Sequence, residues 1–316
     1  MDLNNKKILV TGATGFIGAN LLHHLANLGL KPYVMLRNKS NTWRINDIIN
    51  GLRLSNVDIS DREAVTSAIK EIKPHVIFHM ATYGGYVTQI DHDLTVRTNY
   101  LGTVNLLNAC KASGFELFIN TGSSSEYGIK SDPMKETDAL DPVTEYGAIK
   151  AAASLYCQAM AKKEALPVVT LRIFSPYGYF EGPERLIPSV IRSCLRGEDP
   201  KLSNVESVRD FIFIEDVIDA FMKVINAKER AIGEVFNVGG GIQYSVGDVV
   251  NNIISLTGAN VTPCWGSVPN PRNEPKCWQA DILKAKIELK WSPVIPLTEG
   301  LKKTILWFRK NEVLYK

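Results

Sequence analysis

Tyr146 and Lys150 stand four residues apart at the head of an alanine-rich run that includes Ala148, Ala151, Ala152 and Ala153. Pro142 and Thr144 precede the run, so the chain reads as a loop entering a helix. Residues four apart on a helix share a face, and these two side chains therefore project together. A phenol next to an ammonium ionises more readily than its ordinary value of about 10, because the cation favours the phenolate. Such a tyrosine is a usable acid or base. The same spacing also occurs on ordinary helix surfaces, so the pair needs support from elsewhere in the chain.

A glycine loop supplies it. Gly12, Ala13, Thr14, Gly15, Phe16, Ile17 and Gly18 lie between a short β-rich run, Lys6 to Thr11, and an apolar helical pattern through Leu21, Leu22, Leu25 and Leu28. Glycines in a strand-to-helix turn let backbone N–H groups approach a pyrophosphate at the helix N-terminus. The next strand, Pro32 to Arg37, ends on Arg37, Asn38, Lys39 and Ser40. A carboxylate there would hold the ribose 2′-OH of NAD, whereas an arginine accommodates the 2′-phosphate of NADP. The cations favour NADP(H), with NAD(H) as the alternative.

These residues need a frame. A third strand ends at Asn56 to Ile59, and further strands cover His75 to Met80, Phe115 to Thr121 and Pro167 to Phe174. Between them, Ser60 as N-cap with Glu63 reaching back opens a helix over Asp61 to Ile72. Other helices run from Leu94 to Ala112 and from Tyr146 to Glu164. This alternation, with several strands apolar throughout, implies an α/β fold with a Rossmann-type doubly wound parallel sheet. After Phe174 prolines break the rhythm. Helices are expected near Leu186–Arg196, Glu215–Asn226, Val246–Leu256 and Leu297–Lys310, strands at Asp210–Ile214 and Val235–Val238, and a proline-rich loop from Pro263 to Pro275. The expected division is a dinucleotide-binding domain over 1–174, to which 205–238 returns. A smaller C-terminal substrate-binding lobe comprises 175–204 and 239–316.

The 316 residues are 45% hydrophobic and 22% charged, which is ordinary for a globular protein. A net charge of +3, mixed along the chain, argues against nucleic acid as a partner. No stretch approaches the roughly 18 apolar residues of a membrane helix, and Ile8 to Val10 is too short for a signal peptide. The five cysteines are scattered, with no CxxC pair, and the adjacent His23 and His24 diverge by about 100° on a helix. No metal site is expected, Cys110 and Cys157 read as buried thiols, and a reducing, cytoplasmic compartment fits.

With both motifs in hand, the sequence resembles the extended short-chain dehydrogenase/reductases, in the nucleotide-sugar epimerase, dehydratase and reductase group. The resemblance runs from Lys6 to about Lys310. It is carried further by Asp58-Ile59, His79-Met80-Ala81, Asn99 in an Asn-x-x-Gly-Thr segment, Thr121 to Gly128, Arg209-Asp210-Phe211 and Arg272. It implies a cofactor site of Gly12, Thr14, Gly15, Phe16, Ile17, Gly18, Arg37, Asn38, Lys39, Asp58, Ile59, Met80, Ala81, Thr82, Asn99, Thr121, Tyr146, Lys150 and Pro176. It implies a nucleotide-diphospho-sugar substrate contacted by Tyr83, Ser123, Ser124, Ser125, Tyr146, Ser175, Arg185, Leu186, Lys201, Leu202, Arg209 and Arg272. The catalytic residues of the resemblance are Ser123, Tyr146 and Lys150. Tyr146 exchanges a proton with the sugar C4 oxygen, Ser123 hydrogen-bonds that oxygen, and Lys150 holds the nicotinamide ribose. Members often form homodimers through the helices corresponding to Asn99–Ala112 and Tyr146–Glu164.

Departures from the family pattern narrow the reaction. The 4,6-dehydratases of the group carry an acidic pair directly after the catalytic Ser or Thr, where this chain has Ser124 and Ser125. Relatives that epimerise C3 and C5 before reduction carry a cysteine at the position of Ser125. A 4-keto reduction or a 4-epimerisation remains. The Gly-Ser-Ser-Ser-Glu-Tyr-Gly segment is similar to that of the CDP-4-keto-6-deoxyglucose reductases. Together with the Arg37 cluster it favours an NADPH-dependent reductase over an epimerase.

Overall fold

The computed structural model describes residues 1–86, 88–269 and 275–315. The first half alternates strand and helix: β1 (Ile8–Thr11), α1 (Phe16–Asn27), β2 (Tyr33–Leu36), β3 (Arg53–Asn56), α2 (Arg62–Ile72) and β4 (Val76–His79). It continues through α3 (His92–Val96), a π-helical turn (Arg97–Leu101), α4 (Gly102–Ser113), β5 (Leu117–Ser123), α5 (Glu145–Glu164) and β6 (Val168–Ile173). The second half contains β7 (Ser175–Tyr177), α6 (Leu186–Arg196), β8 (Val208–Phe213), α7 (Ile214–Asn226) and α8 (Lys228–Ala231). The last elements are β9 (Val235–Val238), β10 (Gln243–Ser245), α9 (Val246–Thr257) and α10 (Leu297–Asn311).

Seven strands form one parallel sheet in the order β3-β2-β1-β4-β5-β6-β9. The central strands β1, β4 and β6 are buried along their whole length, which is why they read as apolar runs rather than alternating ones. One face carries α1 and α7 over Val10, Phe78, Leu171 and Phe236. The other carries α2, α4 and α5 over Leu9, Ile77 and Phe118, with Cys110 and Cys157 packed among them. The chain leaves β1 toward β2 on one side and reaches β4 on the other. This reversal leaves a crevice beyond the carboxyl ends of β1 and β4.

A second sheet of three strands, β10-β8-β7, forms the smaller lobe with α6, α9 and α10. The segment 205–238 is thus divided between the two layers. Its β9 closes the edge of the large sheet and α7 packs on α1, while β8 pairs with β7 and β10.

Several local readings of the sequence change. The N-cap of α2 is Asp61, whose carboxylate accepts the N–H groups of Glu63 and Ala64; Ser60 instead donates its N–H and hydroxyl to Asp58. A carboxylate one residue later offers the first turn a stronger acceptor than the serine does. The third strand closes at Asn56, before Asp58. The helix expected over Leu94 to Ala112 is present as α3, a π-helical turn around Asn99 and α4, with helical dihedrals at both junctions. Outside the named strands, Lys201 makes an isolated β-bridge with Cys264. Among the described residues no helix is long and apolar enough to cross a membrane.

Candidate functional site

The crevice at the switch point is a cleft of about 530 Å³. The loop from Gly12 to Gly18 forms one wall. A Cβ on Gly12, which has φ +67°, would lie 2.4 Å from the Met80 carbonyl carbon, and one on Gly18 would lie 2.3 Å from the Gly12 oxygen. Only glycine allows these two approaches. The N-cap of α1 is Gly15, with no side-chain cap and no acidic residue in the first turn. That end of the helix keeps its unpaired N–H groups and positive dipole for an anion in the cleft.

Opposite the loop, β5 delivers Thr121, Gly122 and Ser123 to the cleft. The turn after Ser123 is fixed from beneath by Glu126, which is fully buried (0% exposed). Its Oε1 accepts from the Ser123 N–H at 2.7 Å and the Ser154 hydroxyl at 2.9 Å, and its Oε2 accepts from Arg172 Nε at 2.8 Å. Arg172, only 2% exposed, also donates to the Tyr127 hydroxyl at 3.0 Å, which donates onward to Asn237 at 2.7 Å. Ser123 Oγ accepts the Ser125 N–H at 3.2 Å.

Helix α5 brings in the other two groups. Thr144 caps it, its hydroxyl accepting the Gly147 N–H at 3.1 Å, so Tyr146 and Lys150 occupy the first turns and both border the cleft. Lys150 is 5% exposed and its ammonium donates to the Thr121 carbonyl at 2.5 Å. The Thr121 hydroxyl oxygen is buried with no hydrogen-bond partner among the described residues. A polar atom so placed on the cleft wall suits a bound polar ligand.

Behind β4, His79 joins both sides of the cleft. Thr103 Oγ1 donates to the Asn99 carbonyl at 2.7 Å, so it must accept from His79 Nε2 at 2.8 Å. His79 Nδ1 then accepts from the Thr11 hydroxyl at 2.8 Å. Burial, with Lys150 nearby, pushes the His79 pKa down to about 3, so the ring is neutral in this one tautomer. Asn99 passes the order on, its side chain bonding both the N–H (2.8 Å) and the carbonyl (2.7 Å) of Tyr83.

Of the residues expected to hold the cofactor, Gly12, Thr14, Gly15, Phe16, Ile17, Gly18, Arg37, Asp58, Ile59, Met80, Ala81, Thr82, Thr121, Tyr146, Lys150 and Pro176 border the cleft. Asn38, Lys39 and Asn99 do not; Asn38 pairs with Asn56, and Asn99 braces Tyr83. Of the substrate set, Ser123, Tyr146 and Arg185 border it, while Tyr83, Ser124, Ser125, Ser175, Leu186, Lys201, Leu202 and Arg209 lie outside its wall. Arg209 stacks on Trp278 at 5.6 Å, Leu202 is buried, and Arg272 lies outside the described residues. The wall also includes Ser40, Tyr86 and Glu184, together with Arg44 and Gln89, which no motif marked. Tyr86 and Arg185 meet across it, guanidinium to ring centroid 4.6 Å.

A glycine loop at the switch point of a doubly wound sheet, facing Ser123, Tyr146 and Lys150, defines an extended short-chain dehydrogenase/reductase. The chain belongs to the NAD dependent epimerase/dehydratase family, which it matches over residues 8–239. An uncharacterized UDP-glucose epimerase of Bacillus subtilis (strain 168) is 30% identical, over 95% of this chain and 97% of that one. A dTDP-glucose 4,6-dehydratase from Bacillus anthracis, solved in complex with NAD, superposes with a TM-score of 0.87 at 28% identity, covering 98% of each chain. A UDP-glucuronic acid 4-epimerase from Bacillus cereus, solved with UDP-glucuronic acid and NAD, superposes with a TM-score of 0.85 at 29% identity, over 96% of this chain and 99% of that one.

Proposed function

We propose that the protein reduces the C4 ketone of a nucleotide-linked 4-keto-6-deoxy sugar at the expense of NADPH, with Tyr146 as the proton donor. The observation that carries this reading is the placement of carboxylates. Among the described residues lining the cleft they are Asp58 and Glu184, neither of them on the β5 turn beside Ser123. The first carboxylate after Ser123 is Glu126, buried on Arg172 and unavailable to a substrate. A 4,6-elimination has to remove the C5 proton and expel the C6 hydroxyl, which calls for an acid and a base there. Ser124 and Ser125 supply neither at neutral pH. Chemistry confined to C4 is what this wall supports.

A dinucleotide fits the residues present. The uncapped end of α1 suits its pyrophosphate, and the lone Thr121 hydroxyl and the Lys150 ammonium suit its nicotinamide end. Bound in the cleft, the nicotinamide supplies the hydride. Tyr146 gives its phenolic proton to the forming C4 alkoxide, Ser123 donates a hydrogen bond to the same oxygen, and Lys150 fixes the nicotinamide ribose. Arg37 and Ser40 on the wall, with no carboxylate at the end of β2, support NADP(H) over NAD(H). The smaller lobe would hold the nucleotide sugar, with Arg209 and Arg272 as phosphate ligands, and the faces carrying Leu101 and Leu155 are exposed as a homodimer seam requires.

A nucleotide-sugar 4-epimerase is the second reading, favoured by the likeness to the UDP-glucuronic acid 4-epimerase bound to NAD. A panel of nucleotide sugars separates the two. Stoichiometric NADPH oxidation with 4-keto-6-deoxy substrates supports the reductase. Interconversion of C4 epimers with no net NADPH use would replace it with the epimerase.

A further inference from the structure

Arg44 lies outside every motif of the chain, yet it borders the cleft beside the glycine loop. Its guanidinium is held in place: Nε donates to the Phe180 carbonyl at 2.7 Å, Nη1 donates to the Thr14 carbonyl at 3.1 Å, and the group lies 4.4 Å from the Trp43 ring centroid. Two of its five donors are spent on these carbonyls. Among the described residues no carboxylate comes within ion-pair distance of it. Glu184, on the same wall, acts on it electrostatically without pairing with it, so burial still leaves this half-buried cation suited to an anion that arrives with the ligand.

The position says which anion. Thr14 is two residues before the start of α1, so Arg44 and the uncapped end of that helix flank the same part of the loop. By holding the Thr14 carbonyl, Arg44 also neutralises a dipole that would repel a negative group there. Arg37 and Ser40, by contrast, stand at the end of β2, on the ribose side. We propose that Arg44 is a second ligand of the dinucleotide pyrophosphate, gripping it from the side opposite the α1 N-terminus. This rests on the reading of the cleft as the dinucleotide site. Arg44 therefore serves NAD(H) and NADP(H) alike, while Arg37 discriminates between them.

The test is the affinity of NADPH, NADH and adenosine 2′-monophosphate for wild type, Arg44→Gln and Arg44→Lys, each first shown by thermal melting to be folded. Glutamine and lysine each keep a donor for the Phe180 or Thr14 carbonyl. Losing a charge-assisted bond to phosphate should weaken both dinucleotides by the same factor, about ten- to a hundredfold in Arg44→Gln. Arg44→Lys should show a smaller, equally shared loss, because a point charge cannot reproduce the planar fork. Adenosine 2′-monophosphate, which has no pyrophosphate, should bind all three proteins equally. Unchanged dinucleotide affinity in the variants overturns the inference, as does a loss confined to NADPH, which would move Arg44 to the 2′-phosphate. If Arg44→Gln does not fold, an unchanged Arg44→Lys is enough to overturn it. Failure of wild type to bind either dinucleotide overturns the cofactor reading itself.

Discussion

Replacing Glu126 with alanine should be among the most damaging single changes made away from the cleft surface. One carboxylate is shared by three donors: the Ser123 N–H at 2.7 Å, the Ser154 hydroxyl at 2.9 Å and Arg172 Nε at 2.8 Å. Arg172 would keep the Tyr127 hydroxyl at 3.0 Å and the Tyr127 ring at 4.7 Å, but not its anion. Stranding one member of a buried ion pair costs about 3–5 kcal/mol. For a chain of this size that is a fall in Tm of roughly 5–8 °C. Removing both charges, as in Glu126→Ala with Arg172→Met, abolishes the stranded charge, so the double variant should be more stable than Glu126→Ala. The cycle should give a coupling of about 1–3 kcal/mol. Urea unfolding followed by tryptophan fluorescence measures it, since Trp291 is buried in the core. A Glu126→Ala protein within about 1 kcal/mol of wild type, or a coupling near zero, would refute the reasoning that this pair anchors the β5 turn.

Three other outcomes are expected. Tyr146→Phe should lower turnover by about 10²- to 10⁴-fold while leaving NADPH affinity close to wild type, because only the transferred proton is lost; near-normal turnover in a stopped-flow assay would rule out Tyr146 as the donor. Arg37→Asp should reduce the preference for NADPH over NADH by at least about tenfold, read from the ratio of the two dissociation constants, and an unchanged ratio would remove Arg37 from the 2′-phosphate site. Glu181 is buried, its Oε2 has no hydrogen-bond partner among the described residues, and burial pushes its pKa from 4.5 up to about 8 despite nearby Arg185. Between those values the folded state holds a proton that the unfolded state has released, so stability falls as pH rises through the window. Urea midpoints of wild type should therefore drop from about pH 5 to about pH 8 more than those of Glu181→Gln, and parallel profiles would count against it.

The local features were legible because short-range rules encode them. A strand, a glycine turn and a helix within the first 27 residues need only neighbouring positions to be read, and so does a four-residue spacing on a capped helix. The alternation that gives the parallel sheet is similarly written in apolar runs. Where the sequence reading slipped, a competitor stood one residue away, as with Asp61 taking the cap from Ser60. The pairing of β8 with β7 is a choice made by strands 31 or more residues apart. The register Ser175 to Phe211 has no local signature.

By itself the sequence determined the doubly wound fold, the glycine loop and the shared face of Tyr146 and Lys150. Only the tertiary structure decided which charges the cleft keeps. Glu126 follows Ser123 by three residues, and nothing in its neighbours says whether its carboxylate faces the cleft or the core. The pairing of β5 with β6, Gly122 opposite Arg172, supplies the cation that buries it. A Cβ on Gly122 would lie 2.8 Å from that carboxylate, so the glycine leaves room for the pair. Arg44 lies 30 residues from the Thr14 carbonyl that fixes it and 136 from that of Phe180. A buried charge takes its role from the partner that packing brings to it, and neither periodicity nor a motif records that partner.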